Sequence, residues 1–99
     1  MGKLVRNKIP QIIREDGNQP IIRTLSDSEY LIELDNKLNE EIAEYQADKS
    51  LEELVHVMEV IYAICDARGY SINDLMRLKE KKRVSRGGFE EKIYWEGNI

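Results

Sequence analysis

The chain has 99 residues, one cysteine, 15 basic and 19 acidic side chains and a formal net charge of -4, which excludes an internal disulfide framework and argues against nucleic acid as its partner. A single domain this small buries only a modest core unless a second chain adds to it, so self-association is expected, a homodimer first and a tetramer second. No stretch approaches the roughly 18 apolar residues of a membrane span and the N-terminus lacks a signal-peptide core, so the expectation is a cytoplasmic protein with no membrane partner.

Residues 1–13 mix basic and apolar side chains ahead of the turn signals Asp16, Gly17, Asn18 and Pro20, and "PIIRTL" then reads as a small strand or an extended arm. After the N-cap candidates Ser26, Asp27 and Ser28, apolar residues recur at Leu31, Leu34, Leu38, Ile42 and Tyr45. That spacing predicts an amphipathic helix, broken at "DKS". Ser50 caps a second helix, with Glu53 completing a capping box and Gly69 as its C′ residue. Leu54, Val55, Val57, Met58, Val60, Ile61, Tyr62 and Ile64 cover most of its circumference, which predicts a buried helix with one polar stripe. Cys65, inside "VIYAICDA", reads as a small buried thiol. Ser71 and Asp74 open a third helix with Ile72, Leu75, Met76 and Leu78 as its apolar face, and Gly87 and Gly88 end it rather than cradle phosphate. The tail "FEEKIYWEGNI" reads as a short strand or irregular arm. The fold class expected is all-α, two long antiparallel helices plus a third basic helix with short extended arms at both ends, completed by another copy of the chain.

Charge is segregated along this layout. Residues 27–66 carry twelve acids and two bases, Lys37 and Lys49, whereas both flanks are net basic. On a helical wheel Glu44 and Glu41 lie about 40° and about 100° from Glu40, and His56 lies about 40° and Glu59 about 20° from Glu52. Like charges at such spacings oppose helix formation by roughly 0.2–0.5 kcal/mol per pair, and burial without a partner costs more. Two things can offset this: water, if the stripe faces solvent, or a divalent cation bridging carboxylates of facing helices. Carboxylates are hard ligands suited to Mg²⁺ or Mn²⁺, while one histidine and one cysteine do not make a structural zinc site. Lys79, Lys82 and Arg86 recur at spacings of three and four, sharing a face from which they could clamp phosphate oxygens or simply meet solvent.

Four stretches together resemble one family. "KLVRNKIPQII" (3–13), "EEIAE" (40–44), "ELVHVMEVI" (53–61) and "RGGF" (86–89) stand in the order found in the MazG-like all-α nucleotide pyrophosphohydrolases, most closely their phosphoribosyl-ATP pyrophosphohydrolase-like branch. The resemblance implies hydrolysis of a nucleoside triphosphate or related nucleotide to monophosphate and pyrophosphate, with Mg²⁺ or Mn²⁺ as cofactor. Its ExxE and ExxD motifs place the metal ligands at Glu41, Glu44, Glu53 and the position of His56, where the family has aspartate; Asn7 likewise replaces an aspartate. Arg6 and Lys8 sit within the N-terminal match and are phosphate-contact candidates; Glu40, beside the ligand positions, is either a candidate water-orienting base or a plain surface glutamate.

His56 removes a charge and a hard ligand. The consequence is an altered metal preference, retained binding without turnover, or a shell in which Glu59 substitutes; otherwise His56 is a hydrogen-bonded structural residue. The alternative function is a non-catalytic nucleotide-binding or helical assembly relative. Nucleic-acid binding through "KEKKRVSR" is disfavoured by the acidic balance and the absence of a reading motif.

Overall fold

Three serines start the three long helices. In the computed structural model, which describes residues 2–99, Ser26, Ser50 and Ser71 each accept the backbone N–H three residues ahead, at 3.3, 3.2 and 3.3 Å. The short hydroxyl thereby satisfies one of the amides that a first turn leaves without a partner. The helices are α1 (Ile9–Glu15), α2 (Asp27–Asp48), α3 (Leu51–Ala67) and α4 (Ile72–Arg86). Among the described residues there is no strand, so the chain is all-α.

Local chemistry also sets the ends. Ser26 forms a full capping box with Glu29, whose carboxylate accepts from the Ser26 N–H at 3.1 Å and from Arg23 at 2.9 Å. Gly69, at φ +79, lets α3 close in a Schellman turn, Tyr70 N–H donating to Cys65 O at 2.8 Å and Gly69 N–H to Asp66 O at 3.1 Å.

The N-terminal arm differs from expectation, because residues 9–15 within it are helical. Pro10 sits in the first turn of α1, where its fixed φ suits the helix and its missing N–H costs nothing. "PIIRTL" forms neither helix nor strand, and the C-terminal tail holds a turn, Lys92 N–H to Phe89 O at 3.0 Å, rather than a strand.

α2 and α3 form a helical hairpin across the link Lys49–Ser50, with Lys49 in the left-handed region at φ +58. Arg68 at the end of α3 pairs with Asp35 early in α2 at 3.7 Å, while Glu53 at the start of α3 faces Glu44 late in α2, so the two run antiparallel. Leu34, Val60 and Cys65 are the buried apolar residues. α4 touches only α3, and Met76 and Leu78 of its expected apolar face stay exposed. Contrary to the buried helix predicted, Leu51, Leu54, Val55 and Met58 of α3 are exposed in the single chain. The radius of gyration is 17.8 Å, against about 13 Å for a compact domain of this length. The surface is 9024 Å², against about 5,800 Å² for a compact monomer of this mass.

Candidate metal centre

The hairpin turn brings the last turns of α2 against the first turn of α3, and this places the acids. One carboxylate oxygen each from Glu41, Glu44 and Glu53 lies within 4.8 Å of the other two, the one such group among the described residues. Glu44 is exposed and Glu53 half-buried, but Glu41 is only 7 % exposed. Oε2 of Glu41 and Oε2 of Glu53 are both buried and without a hydrogen-bond partner. A solvated face does not explain that pair, since neither oxygen is exposed to water and neither has a hydrogen-bond partner.

Glu53 shows what the arrangement costs. It occupies the position that would complete a capping box with Ser50, and Ser50 does accept its backbone N–H. The reciprocal bond is missing, unlike at Ser26, because the Glu53 carboxylate turns into the acidic cluster instead. Burial first, then the neighbouring Glu44 carboxylate, pushes Glu53 above the ordinary carboxyl range.

Lys37, which sequence reasoning passed over, partly offsets the charge. Its ammonium, mostly buried, reaches Glu41 Oε1 at 3.3 Å and Glu40 Oε2 at 3.0 Å from one turn back on α2. The signal was available: Lys37 is one of two bases in the acidic stretch and stands three and four residues before the paired glutamates. Burial lowers the affinity of Lys37 for its proton, but bonds to Glu40 and Glu41 more than restore it. Glu40 also accepts from Lys3 at 3.4 Å. Burial raises the Glu40 carboxyl, and Lys37 and Lys3 together hold it below its ordinary value, which weakens it as a proton acceptor.

His56 stands outside the trio. Its Nδ1 accepts from Arg6 Nη2 at 2.8 Å, so the N-terminal segment is tied to the middle of α3. Glu59 likewise does not join the carboxylates. Arg6, Lys8, His56 and Glu59 line a cavity of about 410 Å³ that reaches Lys37 and Glu41 between α2, α3 and the N-terminal segment. Lys79, Lys82 and Arg86 lie exposed on α4 and do not line that cavity. Among the described residues no helix is long and apolar enough to cross a membrane.

The donor set suits a hard divalent ion: three carboxylates from two helices, two of them with buried oxygens lacking partners. Neither the sole cysteine nor the imidazole belongs to the group, so all of its donors are carboxylate oxygens.

No protein-family model matches the chain. No solved structure matches it either. The chain is similar to an uncharacterised protein of Mycolicibacterium smegmatis, 57% identical over 47 residues, which is 48% of this chain and 48% of that protein. The match thus spans about half the length of its curated relative.

Proposed function

We propose that this chain is a divalent-metal-dependent nucleotide pyrophosphohydrolase of the MazG-like, phosphoribosyl-ATP pyrophosphohydrolase-like kind. Its reaction adds water across a phosphoanhydride bond of a nucleoside triphosphate or related nucleotide, releasing monophosphate and pyrophosphate. The observation that carries this reading is the pair of buried, unpartnered oxygens on Glu41 and Glu53 beside Glu44. Carboxylates so placed destabilise the empty site and are relieved by a cation.

When bound, Mg²⁺ or Mn²⁺ supplies neutralisation of phosphate charge and a more acidic water. Glu41, Glu44 and Glu53 would hold the ion. Lys37 pairs with Glu41 through Oε1, leaving its carboxylate with an unpartnered oxygen, and would hold that side chain in place for the ion. Arg6 and Lys8, which make no ion pair among the described residues, are free to take phosphate oxygens. Glu40, held by two ammonium groups, orients water by accepting a hydrogen bond rather than by taking a proton.

Self-association belongs to the same reading, a homodimer before a tetramer. Leu51, Leu54, Val55 and Met58 recur along one stripe of α3 and are exposed, Leu51 by 78% and Met58 by 50%. The surface beyond that of a compact monomer is about 3,000 Å², well above the roughly 800 Å² per partner that a standard interface covers. A second copy on this stripe gives α3 the burial its composition calls for. A cytoplasmic setting completes the proposal.

The test is pyrophosphate release from a panel of nucleotides in Mg²⁺ and, separately, Mn²⁺, with Glu41→Gln as control. Turnover in either metal that Glu41→Gln abolishes supports the reading. Nucleotide binding without turnover in both metals favours a non-catalytic relative, the alternative that the missing acid at position 56 suggests.

A further inference from the structure

We infer that His56 is a positioning residue for Arg6 and not a ligand of the metal, and that it holds Arg6 in the cavity wall as an uncancelled positive charge for a phosphate group. The inference rests on the proposed nucleotide chemistry for the identity of that phosphate, but its geometry stands independently. A guanidinium has only donors, so in the 2.8 Å contact Arg6 Nη2 gives and His56 Nδ1 receives. The Nδ1 lone pair is therefore occupied. The ring proton of the neutral imidazole then sits on Nε2, which leaves neither nitrogen free to coordinate, and a guanidinium beside the ring repels a cation approaching it.

The charge balance gives the arrangement its use. An aspartate at position 56 would bind the same guanidinium as an ion pair and cancel its charge. An imidazole acceptor fixes the arginine at one nitrogen and leaves its charge and its remaining N–H groups available. Among the described residues no carboxylate lies within ion-pair distance of Arg6, whereas Lys37, the other cation with a fixed partner here, is already engaged by Glu40 and Glu41. Arg6 and Lys8 from the N-terminal segment line the same cavity as Glu41 of the metal centre. A phosphate group seated there would meet the held arginine in a cavity that also reaches Glu41, and His56 fixes where that arginine stands.

The experiment is calorimetric titration of Mn²⁺ alone, and then of inorganic pyrophosphate in saturating Mn²⁺, into wild type, Arg6→Ala, His56→Leu, His56→Gln and Arg6→Ala/His56→Leu. Each variant is first checked for cooperative unfolding. Mn²⁺ affinity should be unchanged in all of them, while pyrophosphate affinity should fall about tenfold in Arg6→Ala and His56→Leu. The double variant should be no worse than Arg6→Ala alone, and His56→Gln, which retains an acceptor, should recover most of the loss. Because His56 is the sole histidine, its ring ¹⁵N resonances are unambiguous: they should report an Nε2–H tautomer, with an Nδ1 shift that moves in Arg6→Ala. Loss of Mn²⁺ affinity in His56→Leu, pyrophosphate binding unaffected by that change, or an Nδ1–H tautomer overturns the inference. A wild type that binds no Mn²⁺ overturns the metal centre instead; the tautomer and metal-free pyrophosphate binding then still decide the role of His56.

Discussion

The Lys37 ammonium lies 3.3 Å from Glu41 Oε1, while the other oxygen of the same carboxylate is buried with no partner. One oxygen of Glu41 is thus paired from within its own helix, while the residue shares its cluster with Glu44 and Glu53, two more anions. That division has consequences for stability as well as for binding.

Replacing Lys37 by Met removes the cation nearest the trio. In chelator the variant should lose about 1–3 kcal/mol, the cost of a buried charge left unpaired. Saturating Mn²⁺ should raise its midpoint of thermal unfolding by more than it raises that of wild type. Equal metal-induced shifts would mean that Lys37 and the ion do not share Glu41.

Stability should vary with pH in two separate windows. Glu53 has a raised folded-state pKa, so its contribution is present below the ordinary 4.5 and is lost as pH rises through the higher folded value. Metal-free protein should therefore gain stability as pH falls from neutrality toward 4.5, and Glu53→Gln should abolish that gain. Glu29 behaves oppositely: its hydrogen bond with Arg23, then those with Ser26, lower it to about 2. Its contribution is present above 4.5 and fades as pH falls toward about 2, an effect that Arg23→Ala should weaken. Urea unfolding across pH checks both, and an unchanged profile in Glu53→Gln would show that Glu53 does not carry the first window.

Two serine caps should differ in function. Ser26→Ala and Ser50→Ala each remove a side chain that accepts an N3 amide and should each cost about 1 kcal/mol. Only Ser50 fixes the first turn of α3, from which Glu53 projects, so only Ser50→Ala should also weaken Mn²⁺ binding, by a few fold. Equal metal affinity in the two variants would detach the cap from the site.

Charges placed on the exposed stripe of α3 should keep the chain single. Leu54→Glu/Met58→Glu is expected to sediment as a monomer where wild type sediments as a dimer, since an interface core rejects unpaired carboxylates. A wild type that is monomeric at tens of micromolar would remove the self-association proposal.

What could be read from the residues was what local chemistry decides. Ser26, Ser50, Ser71, Gly69 and Gly87 each act within one turn of chain, so helix limits were legible; of the arc of Glu40, Glu41 and Glu44, the latter two come together, whereas Glu40 pairs with Lys37 and Lys3 instead. Burial of Cys65 followed from its apolar neighbours. α1 was missed because seven residues without a capping side chain carry little periodic signal. The swing of Glu53 out of a capping box depends on where α2 lies. The contact of His56 with Arg6 joins residues 50 positions apart, and no spacing rule reports a tertiary approach of that kind. The apolar face assigned to α4 failed for another reason: periodicity says which side chains share a face, not whether anything covers it.

Calorimetric titration of Mn²⁺ into metal-free wild type, Glu41→Gln and Glu52→Gln asks whether the buried carboxylates exist to hold an ion. Glu52 is exposed and outside the trio. Saturable binding in wild type and Glu52→Gln, with affinity lowered about tenfold or more in Glu41→Gln, is the expected result. No binding in wild type, or the same affinity in all three proteins, contradicts it.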